Sequence, residues 1–146
     1  MAYPMTTASR MTPEQKLKWV ILLKAASLYA TENPVVTADN VDALYAELVE
    51  QRLHFEPRDE VRQSGINSGL DRTVDFRVSR YFEHREVAAK MPDGSWVGWT
   101  FLHGGGKHSE PAAVEWMADA YALDHRQETK TVIIHKFTMT SPEPTT

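Results

Sequence analysis

The stretch Trp96-Val-Gly-Trp-Thr-Phe-Leu-His103-Gly-Gly-Gly-Lys107-His108-Ser-Glu-Pro111 runs an aromatic, β-branched segment into three glycines and out at a helix-start signal. Its first half has the composition of a strand. Strand alternation puts Trp96, Gly98, Thr100 and Leu102 on one side, and Val97, Trp99, Phe101 and His103 on the other. Upstream, Arg77 to Lys90 alternates roughly by twos, and Pro92-Asp93-Gly94-Ser95 separates it from this strand as a turn, so the two segments predict a β-hairpin. Downstream, Ser109 offers a cap and Pro111 sits in the first turn of a helix running to Asp124. Thr131-Val-Ile-Ile-His-Lys-Phe137 then reads as a last strand.

Towards the N-terminus, Thr12-Pro13-Glu14-Gln15 combines an N-cap, a proline at the first helical position and a capping-box glutamine. The apolar positions that follow continue to Asn33-Pro34, and Trp19 to Leu23 is apolar on more than one face, so this helix needs more than one neighbour to cover it. Thr37 is placed to cap a second helix, with Val41, Leu44, Tyr45, Leu48 and Val49 forming one stripe that ends at Glu56-Pro57. The two are expected to form an antiparallel pair. Arg58 to Thr73 holds two Ser-Gly turn signals and reads as a loop with room for a short helix. The order is α-α-β-β-α-β, an α+β fold: a helix pair over 12–55, a β-β-α-β unit over 74–139, and flexible tails at 1–11 and 140–146. At 146 residues this fits a single domain.

With 16 basic and 20 acidic residues the net charge is −4, which argues against a long nucleic acid as partner. The chain has no cysteine, so thiolate zinc sites, disulfides and Cys nucleophiles are excluded and the cytoplasm is the expected setting. No apolar run is long enough to span a bilayer, and no membrane partner is expected. The predicted third helix is apolar around much of its circumference, which predicts a homo-oligomer, a dimer or larger.

Consecutive glycines followed by a helix start let backbone amides converge on one point, so Gly104, Gly105 and Gly106, with Lys107 and His108 as side-chain donors, form a candidate phosphate site. The alternative is a tight strand-to-helix connection. The spacing is neither that of a Walker loop nor that of a dinucleotide fingerprint, and no cofactor is expected. Trp99 or Trp96 is a candidate for stacking on a base, or else belongs to the core. Arg85 and Arg80 are the cations placed to assist at the phosphate, or else part of a solvated face. The six histidines follow no zinc spacing, so no metal site is expected, and no nucleophile has an evident orienting partner, so no catalytic residue is assigned.

The run from Pro92 to Thr100, followed by Gly104 to Pro111 and then Glu115-Trp-Met-Ala-Asp-Ala-Tyr121, resembles small uncharacterised proteins carried by tailed bacteriophages and prophages. The resemblance covers about the C-terminal half as a pattern. It implies an accessory protein of the host–phage conflict, acting in the cytoplasm of the infected bacterium. Such proteins include sponges of the Thoeris anti-defence type, which sequester nucleotide signals of bacterial immunity. The expectation is therefore a protein that binds a small phosphorylated nucleotide-type ligand without catalysis. Two alternatives are an anti-CRISPR-like inhibitor of a host defence enzyme and a small nucleotide phosphoesterase.

Overall fold

The computed structural model describes residues 11–74, 80–105 and 110–141. Helix α1 (Pro13–Leu28) starts where its capping signals place it. Thr12 Oγ1 accepts the Gln15 N–H at 3.1 Å and Gln15 Oε1 accepts the Thr12 N–H at 2.9 Å. Its buried residues Leu17, Ile21, Leu22, Ala25 and Ala26 face more than one neighbour, since α1 packs against both other helices and against the sheet. The C-terminal turn stops at Leu28, short of Asn33-Pro34, because Ala30 enters the left-handed region at φ 54°.

Helix α2 (Val41–Glu50) begins later than Thr37. Thr37 and Asn40 instead close a turn on each other: Asn40 Oδ1 accepts the Thr37 N–H at 2.7 Å and Thr37 Oγ1 accepts the Asn40 N–H at 3.1 Å. A third helix, α3 (Phe55–Gln63), occupies much of the predicted loop. Pro57, read from sequence as a stop, lies in its first turn, where a missing N–H leaves no helical bond unmade.

The sheet has four antiparallel strands in the order β1-β2-β3-β4: β1 (Ile66–Asn67), β2 (Glu83–Lys90), β3 (Trp96–His103) and β4 (Tyr121–Leu123). The expected hairpin is present as β2 and β3, paired without slippage from Glu83↔His103 to Lys90↔Trp96. That register puts Arg85, Val87 and Ala89 on the same face as Phe101, Trp99 and Val97, and this is the face the helices cover. The opposite face carries Glu86, Ala88, Gly98, Trp96 and Tyr121. The core joins Leu17, Ile21, Val41 and Val61 of the helices to Val87, Val97 and Trp99 of the sheet, with Trp116 and Met117 closing it. The protein is thus α+β.

Beyond β3 the structure departs from the predicted order. Among the described residues, the expected helix at 109–124 is a single 3-10 turn (Pro111–Ala113), then an irregular segment, then β4. The Glu115 carboxylate takes the Met117 and Ala118 amides at 2.8 and 3.1 Å, offering the backbone a local alternative to helix. Tyr121 then pairs opposite Gly98 at the sheet edge. The expected strand at 131–137 has no regular secondary structure and pairs with nothing among the described residues, and Val132, Ile133, Ile134 and Phe137 are exposed. Within the described residues no helix is long and apolar enough to cross a membrane.

Candidate functional site

Strand β3 ends at His103, and Gly104 and Gly105 turn the chain with φ of 80° and 98°, a region that L side chains avoid. Gly106, Lys107 and His108, the rest of the predicted corner, lie outside the described residues. Two arginines meet at this end of the sheet. Arg62 of α3 donates from Nη1 to the Leu102 carbonyl at 2.8 Å and from Nε to Asp59 at 2.9 Å, and its guanidinium lies 4.9 Å from the Phe101 ring centre. Arg85, paired with Phe101 across the hairpin, lies 5.2 Å from the same ring. Of the two predicted cations, Arg85 therefore lies at the glycine end. Arg80 is exposed and rests on its neighbour Tyr81, 5.5 Å from the ring centre.

Next to this corner, a cleft of about 660 Å³ opens between α3 and the segment after the glycines. Phe55, Arg58 and Arg62 form one wall, and Glu110, Ala113 and Trp116 the other. Because Arg62 lines the cleft and also holds the Leu102 carbonyl, cleft and corner share one side chain. Arg58 donates to the Ala112 carbonyl at 3.3 Å, approaches Glu115 at 3.5 Å, and stands 5.7 Å from the Trp116 ring centre. This clamps the irregular 110–116 segment onto α3. The indole N–H of Trp116 is buried and has no acceptor among the described residues. A buried donor without a partner costs about 1–3 kcal/mol. At the base of α3, burial and then the Arg58 charge push the His54 imidazole below its usual range. Glu56, Asp59 and Glu110 also line the cleft, so an anion finds attraction only on the arginine side.

The two predicted tryptophans part company. Trp99 is fully buried; its N–H donates to the Arg62 carbonyl at 3.2 Å and its ring tilts against Trp116 at 5.4 Å, so it serves the core and cannot stack on a ligand. Trp96 stacks on His125 at 4.3 Å and lines a separate hollow of about 300 Å³ with Ile66, Leu70 and Leu123. It opens β3 while the glycines close it, a separation of about 23 Å at ~3.3 Å per residue, which is too far for one small ligand to touch both.

Sequence reasoning missed Arg58, Arg62 and Trp116. The arginines stand four apart on one helix face, a spacing visible only once Pro57 is read as a first-turn residue. It also missed a polar cluster on the open face. Glu86, only 3% exposed, accepts from Thr100 Oγ1 and from Tyr121 Oη, each at 2.7 Å, with Arg72 at 3.8 Å. Burial first, then the bond to Glu86 and its charge, push the Tyr121 phenol up to about 12. No three His, Asp or Glu side chains among the described residues converge as a metal site would need. The chain matches no protein-family model, no curated protein and no solved structure.

Proposed function

We propose that the cleft between α3 and residues 110–116 binds a small phosphate-bearing aromatic ligand without turning it over, so that the protein sequesters a nucleotide-derived signal. The observation that carries this reading is the placement of Arg58 and Arg62 with the exposed Phe55 ring on one wall of the cleft, beside a left-handed glycine turn. Guanidinium groups suit phosphate, and the exposed phenyl ring of Phe55 supplies a flat apolar surface. The anti-defence role rests on the phage-protein resemblance of the C-terminal half, which implies the signal class. Relative to the sequence reading, Phe55 takes the place of Trp99 and Trp96 as the aromatic surface, and Arg62 joins Arg85.

Calorimetric titration with ADP-ribose, followed by chromatography of the released ligand, tests this. Saturable binding with ligand recovered intact is the expected result, and Arg58→Gln should weaken it at least tenfold. Release of a cleaved product would replace sequestration with phosphoesterase chemistry. Absence of binding by ADP-ribose, ADP and cyclic dinucleotides alike would overturn the reading.

A further inference from the structure

Both arginines of the cleft already hold a carboxylate, and they hold it differently. Arg62 binds Asp59 from Nε at 2.9 Å, and its Nη1 is fixed on the Leu102 carbonyl at 2.8 Å. Asp59 lies one turn away on the same helix, Leu102 belongs to β3, and Arg62 is 7% exposed, so this pair is part of the packing. Arg58 instead meets Glu115, on the segment that forms the opposite wall, at 3.5 Å. That is longer than the roughly 2.7–2.9 Å of a charge-assisted hydrogen bond. The Glu115 side chain is 61% exposed and stands on backbone without regular structure, so no helix or strand has to move when it turns away from Arg58.

The two oxygens of Glu115 have separate tasks. Oε1 accepts the Met117 and Ala118 amides at 2.8 and 3.1 Å and shapes the backbone, whereas Oε2 faces Arg58. The other contacts of Arg58, the Ala112 carbonyl at 3.3 Å and the Trp116 ring centre at 5.7 Å, are uncharged. Among the described residues, Glu115 is thus the one carboxylate paired with Arg58. A guanidinium takes carboxylate and phosphate through the same planar set of donors, so both groups bid for the same side of the arginine.

We infer that Glu115 is an internal competitor for Arg58, and that a phosphate-bearing ligand gains this arginine only by displacing the Glu115 carboxylate. The inference rests on the reading of the cleft as an anion site and adds the group that regulates its affinity. Asp59 keeps Arg62 in place as the fixed cation, while Glu115 holds Arg58 in reserve. The charge of Glu115 opposes the ligand, and its capping oxygen supports the fold, so the two roles are separable by substitution.

Calorimetric titration of ADP-ribose and of ADP into the full chain, Glu115→Gln, Arg58→Gln and the double variant decides it. Glutamine keeps the oxygen that caps Met117 and Ala118 and removes the charge, so circular dichroism should be unchanged. The expected result is binding about two- to fivefold tighter in Glu115→Gln, the size of one exposed ion pair. The gain should shrink as salt is added and vanish when Arg58 is already Gln. Wild-type binding that Glu115→Gln leaves unchanged or weakens overturns the inference and leaves the cleft reading standing. A gain that persists without Arg58 also overturns it, since the effect is then a general change of charge. Binding by Glu115→Gln alone supports the competition and sinks sequestration by the natural chain. Failure of both proteins to bind either probe overturns the cleft reading and this inference with it.

Discussion

The ring of Tyr121 lies on Gly98 so closely that a Cβ at residue 98 would stand 2.5 Å from Tyr121 Cε2. Glycine here makes room for a cross-strand ring whose hydroxyl is tied to Glu86 at 2.7 Å. The ring cannot swing away without breaking that bond. Gly98→Ala should therefore destabilise the fold by about 1–3 kcal/mol, as overpacking does. Urea denaturation checks this, and adding Tyr121→Ala should reduce the extra cost of the alanine, the signature of direct coupling.

The same tyrosine predicts an alkaline limit. Its folded phenol is raised to about 12 against an ordinary value of 10, so the fold favours the protonated form. That contribution is complete below pH 10 and is lost as pH rises through about 12. Stability measured by denaturant midpoint should fall over this window in the wild type and less steeply in Tyr121→Phe. A phenolate absorbance titration should lose its highest-pH component in the same variant.

On the acid side, Asp93 and Asp42 carry the sensitivity. Burial opposes ionisation of Asp93, but hydrogen bonds from Ser95 and Lys16 outweigh it, and its carboxyl is held below the usual range. Asp42 is held low by Lys18 first and Gln15 second. Stability from both is present above the ordinary carboxylate range and lost as pH falls through the depressed folded values. Lys16–Asp93, at 3.3 Å and mostly shielded, ties α1 to the β2–β3 turn, whereas Asp42 is exposed. Asp93→Asn should flatten the acid limb of the stability curve more than Asp42→Asn, whose effect should be about 0.2–1 kcal/mol.

Trp99 and Phe55 should separate stability from binding. Trp99→Ala empties a fully buried site and removes the bond to the Arg62 carbonyl, so a loss of about 3–5 kcal/mol is expected by thermal melting. Phe55→Ala removes a ring that is 65% exposed at the cleft wall and supports no part of the core. It should leave the melting point within a few degrees of wild type and weaken ADP-ribose binding about tenfold, a loss of ~1.4 kcal/mol.

What the sequence alone could decide was local. The Thr12–Gln15 capping box, the hairpin between Glu83 and His103, and the opposite facing of Trp96 and Trp99 depend on side chains a few residues apart or on a period of two. Pro57 was misread as a stop because proline means opposite things before and within a first helical turn. Of the predicted corner, Gly104, Gly105 and Arg85 lie near the cleft without lining it; the lining comes from α3 and residues 110–116, which sequence alone read as a loop and a helix.

Tertiary structure decided the rest. The apolar run from Ala113 to Leu123 suits a helix by composition. Its last residues form an edge strand because Gly98 leaves space for Tyr121 and Glu86 supplies an acceptor for it, and neither partner is near in sequence. Trp99 was assigned to the core by the same means. Helix α3 lays the Arg62 carbonyl over its N–H, and a fully covered ring has no face left to offer a ligand.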